Sequence, residues 1–176
     1  MTADAYKNED RQADPAHVTT REEAEAVTEF LLKPGLFGTP LTPGETALFR
    51  ELPLASVGHP HDTCWYFRNG DDRLCAVLGM RHHHNHTGIY EVYAFAVDPS
   101  SRYQGFGRRL LTCGLQYIAS VQGRGMIVDT SAHPSYAPMH KLLDSLKFAL
   151  VGRFPDFYYA GEDTLWYYHA VNSGGS

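Results

Sequence analysis

The order of apolar and polar positions predicts helices and strands along most of the chain. A Thr-x-x-Glu capping sequence at residues 20–23 precedes an apolar stripe with helical spacing, which predicts a first helix that ends near Leu32. Apolar runs bounded by Gly, Pro and Asn predict strands. The predicted helices cover residues 20–32, 45–52, 107–121 and 136–147, and the predicted strands cover residues 63–68, 74–81, 89–97, 126–130 and 165–169, with another strand from Phe148.

The predicted strand at residues 89–97 leads into a glycine-containing loop that is suited to bind an anion. Pro99 ends the strand, because proline lacks a ladder donor. Gly105 and Gly107 lack a Cβ, so backbone N–H groups can approach a phosphate at the start of the next helix. Positive charge is added at the same end by Arg102, Arg108 and Arg109. The alternative interpretation is an ordinary tight turn before a helix.

Two common nucleotide-binding patterns do not fit this loop. The P-loop needs a Gly-Lys-Ser or Gly-Lys-Thr sequence, which the chain lacks. The dinucleotide-binding fingerprint needs a third glycine, where Leu110 stands. The strand at residues 89–97, the helix and the strand at residues 126–130 form a right-handed crossover. We expect a ligand to enter where these two strands separate.

The sequence Arg102-Tyr103-Gln104-Gly105-Phe106-Gly107 after Val97-x-Pro99 resembles the acetyl-CoA-binding motif of the GCN5-related N-acetyltransferase (GNAT) superfamily. Two later segments are also similar to that family, namely Asp129-Thr130-Ser131 with its following helix and Phe154-Pro155-Asp156-Phe157-Tyr158. The resemblance covers residues 64–169. It implies that acetyl-CoA is the cosubstrate, with no metal, and that the residues that bind it are Phe95, Ala96, Val97, Arg102, Tyr103, Gln104, Gly105, Phe106, Gly107 and Arg108.

The resemblance also implies a fold and a reaction. The fold class is α/β (α+β), with a mixed, mostly antiparallel sheet of about six to seven strands, one splayed parallel pair and about four flanking helices. The reaction is transfer of an acetyl group from acetyl-CoA to a primary amine of a small molecule or peptide, by direct attack in a ternary complex. The sequence leaves open a non-catalytic acyl-CoA-binding or sensing domain. Many members of the family form homodimers, although no interface is evident in this sequence.

Acetyl transfer to an amine needs a group that accepts a proton. By resemblance to the histone-acetylating branch, Glu91 is the candidate base. Strand alternation predicts one face with Glu91, Tyr93, Phe95 and Val97, and an opposite face with Tyr90, Val92, Ala94 and Ala96. An exposed carboxylate near the hairpin explains Glu91 equally well.

The resemblance leaves the general acid open, because the tyrosine that serves as general acid in many members of the family is missing from this sequence. Counting back from Phe148 places Leu143 where many members have that tyrosine, and Lys147 replaces the family glycine. Three explanations stay open: the thiolate leaves without help, another tyrosine substitutes, or no ordinary transfer occurs. The candidate substitutes are Tyr136 and Tyr158, with Tyr159, His133 and His140 nearby in the sequence.

The acceptor is the least specified part of the prediction. A cationic amine is favoured if six carboxylates gather at the mouth of the site: Asp62, Glu91, Asp129, Asp156, Glu162 and Asp163. An aromatic pocket would instead use Tyr66, Phe67, Tyr158, Tyr159 and Trp166. Four histidines within residues 82–86 raise a metal hypothesis, but a polar hairpin tip is favoured because no carboxylate or cysteine completes a site.

Composition agrees with one globular domain. The chain has 176 residues, 43% of them hydrophobic, and a net charge of −5, which argues against nucleic-acid binding. We expect a disordered tail at residues 1–15, a single domain at residues 16–171 and a flexible tail at residues 172–176. The polar N-terminus and the short apolar runs predict a cytoplasmic protein with no membrane partner. The three cysteines are expected to be core residues.

Overall fold

The computed structural model of the protein describes residues 14–171, which form seven strands and four α-helices. Short 3₁₀ turns occur at Pro99–Ser101 and Pro134–Tyr136. The strands are β1 (Ala16–His17), β2 (Thr63–Arg68), β3 (Leu74–His82), β4 (Ile89–Val97), β5 (Gly125–Ser131), β6 (Ala149–Tyr159) and β7 (Glu162–Ala170). The helices are α1 (Arg21–Leu31), α2 (Pro43–Ala55), α3 (Phe106–Ser120) and α4 (Ala137–Ser145).

The seven strands form one mixed sheet in the order β1-β2-β3-β4-β5-β7-β6. β4 and β5 are parallel, and the other neighbouring pairs are antiparallel. This arrangement confirms the expected sheet, with its single parallel pair and four helices. The parallel pair is joined by α3, as a strand–helix–strand crossover requires.

Helices cover both faces of the sheet. The apolar side chains of α3 and α4 pack on one face, where Leu110, Ile118 and Leu143 are fully buried. The apolar stripe of α1 packs on the other face together with Phe49 of α2. Complete capping boxes start α1, at Thr20 and Glu23, and α2, at Thr42 and Glu45. The two faces of the sheet therefore have separate apolar cores, and the opening between β4 and β5 lies between them.

β4 and β5 separate soon after they meet. They pair over residues 89–91 and 125–127, near the start of each strand. Beyond that point β4 continues beside β3 and β5 continues beside β7. The splayed parallel pair expected from the sequence is confirmed, and it opens the sheet toward the carboxyl ends of both strands.

A β-bulge in β4 changes the predicted faces of this strand. Gly79 of β3 pairs with Ala94 and Met80 pairs with Val92, so Tyr93 is an extra residue without a partner. Tyr90 and Val92 belong to the core under α3, whereas Ala94 and Ala96 belong to the core under α1. The predicted alternation is therefore wrong beyond the bulge, because one inserted residue exchanges the two faces.

Phe95 and Val97 accordingly pack against the α3 core. Glu91, which precedes the bulge and alternates with Tyr90 and Val92, points to the opposite face. The single-face set of Glu91, Phe95 and Val97 does not occur in the structure.

The predicted tails lie outside the described residues, apart from residues 14–15 of the first one. The single-domain boundaries stay a prediction. None of the helices within residues 14–171 is long and apolar enough to cross a lipid bilayer. Cys64 and Cys75 are buried and Cys113 is partly buried against the core, as expected of small core residues.

Candidate active site

A cleft of about 1050 Å³ passes through the opening between β4 and β5 and reaches both faces of the sheet. Its α3 side, as we name it, is lined by Phe95, Val97, residues 105–108 and Leu142. Its α2 side is lined by Glu45, Glu91, Asp129, Tyr136, Tyr158 and Trp166. The cleft therefore has one end rich in backbone donors and another end rich in carboxylates and hydroxyls.

The first turn of α3 faces the cleft without a side-chain cap. Gly105 is its N-cap residue, with a left-handed φ of 86°, and no side chain in the described part of the chain caps this helix. The contrast with α1 and α2 is clear, because both of those helices have complete capping boxes. Uncapped N–H groups at a helix start, combined with the helix dipole, favour binding of an anion.

The arginines of the loop have protein partners as well as charge. Arg102 donates to the carbonyl oxygens of Val97, at 3.3 Å, and Leu36, at 3.0 Å. Arg108 donates to Ser145 Oγ at 2.7 Å, which ties the start of α3 to the end of α4. The guanidinium of Arg109 lies 4.5 Å from the centre of the Phe67 ring. Arg102 and Arg108 thus hold the walls of the cleft and add positive charge there.

Nine of the ten residues that the sequence assigned to cofactor binding line this cleft. The exception is Gln104, whose side-chain amide donates to the Ser100 carbonyl oxygen at 3.3 Å. The nine that line the cleft are Phe95, Ala96, Val97, Arg102, Tyr103, Gly105, Phe106, Gly107 and Arg108.

Glu91 lines the cleft between two basic groups. Arg81 Nε donates to Glu91 Oε2 at 2.9 Å, and His83 Nε2 lies 3.2 Å from Oε1. The Glu91 side chain is 20% exposed. Both carboxylate oxygens therefore already have partners, which the sequence does not indicate.

Asp129 and Tyr158 form a hydrogen bond on the α2 side of the cleft. The Tyr158 hydroxyl donates to Asp129 Oδ2 at 3.0 Å. Burial raises the pKa of Asp129 above its usual value, and the nearby Glu45 and Glu91 carboxylates raise it further, while the Tyr158 bond opposes the shift. Burial and the Asp129 charge raise the pKa of Tyr158 strongly. Asp129 and Tyr158, which the sequence analysis proposes for separate roles, therefore form one hydrogen-bonded pair.

Tyr136 lines the same side of the cleft. Its hydroxyl lies 3.1 Å from Thr39 Oγ1 in the α1–α2 loop, and burial raises its pKa. Tyr159 is outside the lining, and its hydroxyl donates to the Leu41 carbonyl oxygen at 3.4 Å. His133 and His140 are also outside it, with His140 Nε2 2.9 Å from the Ser131 carbonyl oxygen.

Helix α4 turns a different residue toward the cleft than the family tyrosine position suggests. Pro138, Met139 and Leu142 line the cleft, whereas Leu143 is fully buried in the core. A tyrosine at position 143 would point into packed apolar side chains in this structure. The helical rotation of α4, which sequence counting does not give, therefore decides that Leu142 faces the cleft.

Three of the six carboxylates considered for the acceptor line the cleft, namely Glu91, Asp129 and Glu162. Glu45 joins them from α2. The other three have partners elsewhere: Asp62 accepts from the His82 N–H, Asp156 accepts from the Gly161 N–H, and Asp163 pairs with Arg153. Of the five aromatic residues considered, Tyr158 and Trp166 line the cleft.

The histidines of the β3–β4 turn lie outside this cleft. His82 Nε2 accepts the Gly88 N–H at 3.1 Å, and His82 Nδ1 lies 3.3 Å from His86 Nδ1. Within residues 14–171, no group of three or more His, Cys, Asp or Glu has an arrangement that could hold a metal ion.

Comparisons with known proteins give a family. A model of the acetyltransferase (GNAT) family matches residues 26–146. A search of curated protein sequences finds no match. Among solved structures, a Desulfovibrio desulfuricans protein of the GNAT family has a TM-score of 0.73 and 24% identity, covering 90% of this chain and 98% of its own.

Two further structures have the same fold. The ribosomal-protein-S18-alanine N-acetyltransferase from Escherichia coli has a TM-score of 0.69 and 16% identity, covering 92% of this chain and 97% of its own. An aminoglycoside 6'-N-acetyltransferase complexed with coenzyme A has a TM-score of 0.65 and 14% identity, covering 89% and 95%. At these identities the structural similarity shows the fold, and the family match covers more than half of the sequence. The chain belongs to the GNAT family of acetyltransferases.

Proposed function

We propose that the protein transfers an acetyl group from acetyl-CoA to a primary amine of a small molecule or peptide, by direct attack in a ternary complex. The observation that carries this proposal is the cleft, which joins an uncapped helix start on the α3 side to carboxylates and hydroxyls on the α2 side. A donor molecule and an acceptor molecule can thereby approach the opening in the sheet from opposite faces.

The α3 side fits the phosphates of acetyl-CoA. Backbone N–H groups at the start of α3 would bind the pyrophosphate, with positive charge supplied by Arg102 and Arg108. The exposed backbone of β4 at residues 95–97 would bind the extended arm of the molecule, because β5 no longer pairs with β4 there. When bound, acetyl-CoA supplies the activated acetyl group.

The α2 side fits a cationic amine. Glu45, Glu91, Asp129 and Glu162 place negative charge along the acceptor path. In this proposal Glu91 attracts and orients the amine, and Tyr136 and Tyr158 are the candidate hydroxyl donors near the reacting atoms. The named activities of two structural neighbours, an alanine N-acetyltransferase and an aminoglycoside 6'-N-acetyltransferase, suggest which amines to test first.

One observation favours a second candidate function, an acyl-CoA-binding domain that does not transfer the group. α4 turns Leu142 to the cleft and buries Leu143, so this helix offers no hydroxyl at the family tyrosine position. The two functions differ in turnover but share binding of the donor.

Release of free thiol from acetyl-CoA in the presence of amines tests the proposal. The panel contains polyamines, an aminoglycoside and a short peptide that begins with alanine. We expect thiol release that depends on one of these amines and a product heavier by one acetyl group. Tight binding of acetyl-CoA with no turnover across the panel would instead support the second candidate function.

A homodimer belongs to the same proposal. β6 lies at the edge of the sheet and exposes five large apolar side chains, which are between 44% and 61% exposed: Leu150, Val151, Phe154, Phe157 and Tyr159. Two copies related by a two-fold axis could cover this surface with its own equivalent. We expect a dimer in light scattering of the full chain, and a monomer at concentrations of tens of micromolar would contradict this part.

A further inference from the structure

The position of Asp129 relates it to the opening in the sheet. It lies two residues beyond Ile127, the last residue of β5 that pairs with β4. Met126 and Val128 pack into the core under α3, so Asp129 points to the opposite face, the α2 side of the cleft. Its carboxylate is therefore placed where a molecule on the α2 side approaches the opening.

The partner of Asp129 comes from a distant part of the chain. Tyr158 reaches from β6, and β7 lies between β6 and β5 in the sheet. Trp166 of β7 is directly opposite Asp129 in the strand register. Its indole N–H is buried and has no hydrogen-bond partner among the described residues. Buried donors are normally paired, so this N–H is an exception on the wall that Trp166 forms beside Asp129.

The charges around Asp129 make it suited to hold a proton. Burial removes water from its carboxylate, and the Glu45 and Glu91 carboxylates add like charge from α2 and β4. Tyr158 is a neutral hydroxyl donor rather than a cation. Glu91, by contrast, already pairs with Arg81 and His83.

We propose, on the basis of the proposed acetyl transfer, that Asp129 takes the proton from the attacking amine and that Tyr158 returns a proton to the departing sulfur. This assignment gives Glu91 an orienting role. It also supplies a hydroxyl from β6 where α4 has Leu142 and Leu143.

The proton steps balance. A cationic acceptor first loses one proton to solvent, so the attacking species is the neutral amine. An N–H bond of this amine breaks, its proton goes to an Asp129 oxygen, and the nitrogen lone pair forms the bond to the acetyl carbonyl carbon. The carbon–sulfur bond breaks, and its electron pair stays on sulfur. As the sulfur takes the Tyr158 hydroxyl proton, the proton on Asp129 moves to the Tyr158 oxygen in the same step, so no tyrosinate forms. One proton has then moved from nitrogen to sulfur, and both side chains are in their starting state.

Asp129→Asn tests the proton acceptor, because asparagine still accepts the Tyr158 hydrogen bond but cannot hold the proton. We expect kcat to fall by about 100-fold or more, with the Kd for CoA within about twofold of the wild-type value. The acidic limb of the kcat/KM profile should disappear. Tyr158→Phe should lower kcat with little change in the KM of the amine. The matched control is Asp71→Asn, in the exposed β2–β3 turn.

Two measurements, one on the wild-type protein and one on the variants, need no acceptor. The carboxyl carbon of Asp129, followed by NMR, should titrate above the ordinary aspartate pKa of about 3.9. A folded-state pKa above the unfolded one adds stability at low pH, and this contribution is lost as the pH rises through the folded-state pKa. The Asp129 charge therefore lowers stability at pH 7. Asp129→Asn should raise Tm at pH 7, and Asp71→Asn should not.

The outcomes separate this proposal from the proposed function. An acidic limb that vanishes in Glu91→Gln and persists in Asp129→Asn, with wild-type kcat in the latter, would overturn the assignment and leave acetyl transfer intact. An Asp129 carboxyl that titrates at or below the ordinary pKa would overturn it as well. A wild-type protein that binds acetyl-CoA but acetylates no amine would contradict the proposed function, and the assignment with it.

Discussion

Gly105 and Gly107 stand in the same loop motif for different physical reasons. Gly105 has a φ of 86°, and a Cβ built on it would have no atom within 4 Å. A Cβ on Gly107 would lie 3.1 Å from the Phe95 ring and 3.2 Å from Leu142. Gly105 is therefore required for the backbone turn at the open cleft, whereas Gly107 lets α3 pack closely against β4 and α4.

This difference predicts the effect of Gly105→Val. Valine is strained at a left-handed φ, and its side chain would enter the space beside the uncapped N–H groups of α3. We expect the Kd for CoA, measured by calorimetry, to rise by about 100-fold or more, which corresponds to about 2.7 kcal/mol. Gly58→Val is the matched control, because Gly58 also has a left-handed φ, of 70°, and open space around it. The control should lose stability and keep its CoA affinity. If Gly105→Val binds CoA as tightly as Gly58→Val does, the loop at Gly105 does not bind CoA.

Tyr93 explains why the faces of β4 could not be predicted from its sequence. Strand alternation holds only while each residue has one partner, and the extra residue at Tyr93 exchanges the faces. A Cβ on Gly79 would collide with the Tyr93 ring, so the bulge depends on a glycine in the neighbouring strand. Nothing in residues 89–97 read alone indicates this contact. The strand boundaries, in contrast, follow from its own β-branched and aromatic residues and from Pro99, and were predicted correctly.

At the scale of elements, α4 ends in a Schellman motif with a residue that is unfavourable there. The Phe148 N–H donates to the Leu143 carbonyl oxygen at 3.0 Å, and the Lys147 N–H donates to the Asp144 carbonyl oxygen at 3.0 Å. Lys147 has a left-handed φ of 64°, the conformation that glycine adopts most easily. Although the family glycine is absent from the sequence, the backbone conformation that glycine favours is present in the structure.

Lys147→Gly should therefore stabilise the protein. The free energy gained by relief of the left-handed strain exceeds the cost of the extra chain entropy of glycine in the unfolded state. We therefore expect the free energy of unfolding, measured by urea titration, to rise by about 0.5 kcal/mol. Lys141→Gly, in the exposed interior of the same helix, should instead cost about 1 kcal/mol. A loss of stability in Lys147→Gly would show that the lysine side chain contributes more than its backbone strain costs.

The sequence of α4 does not show which of its residues faces the cleft. Counting from Phe148 locates position 143 correctly in the sequence, but only the packing of α4 shows that Leu142 faces the cleft. Apolar residues at both positions give no signal to distinguish the two. Capping sequences are local, so the Thr20–Glu23 sequence predicts the start of α1. The predicted helix at residues 45–52 begins inside the first turn of α2, because the start at Pro43 after the Thr42 cap was not predicted.

At the scale of the whole molecule, the site depends on contacts between distant segments. Tyr158 follows Asp129 by 29 residues and reaches it across β7. The alternation of β5 predicts that Asp129 and Ile127 share a face. No local sequence pattern predicts the strand order that brings Tyr158 to Asp129. Long-range strand pairing therefore determines the acceptor side of the cleft, whereas the local loop motif predicts the donor side.

The two-sided cleft also predicts the kinetic mechanism. Donor and acceptor approach from opposite faces, so both can be bound at once, and none of the three cysteines is suited to carry the acetyl group. Burial raises the pKa of Cys64 to about 12, and it also raises the pKa of Cys75 and Cys113, which disfavours the nucleophilic thiolate. Initial-rate plots at several fixed amine concentrations should therefore give intersecting lines. The protein mass should stay unchanged after incubation with acetyl-CoA alone, and Cys113→Ala should retain the wild-type pattern. Parallel lines together with a protein heavier by one acetyl group would instead show a covalent acetyl-enzyme.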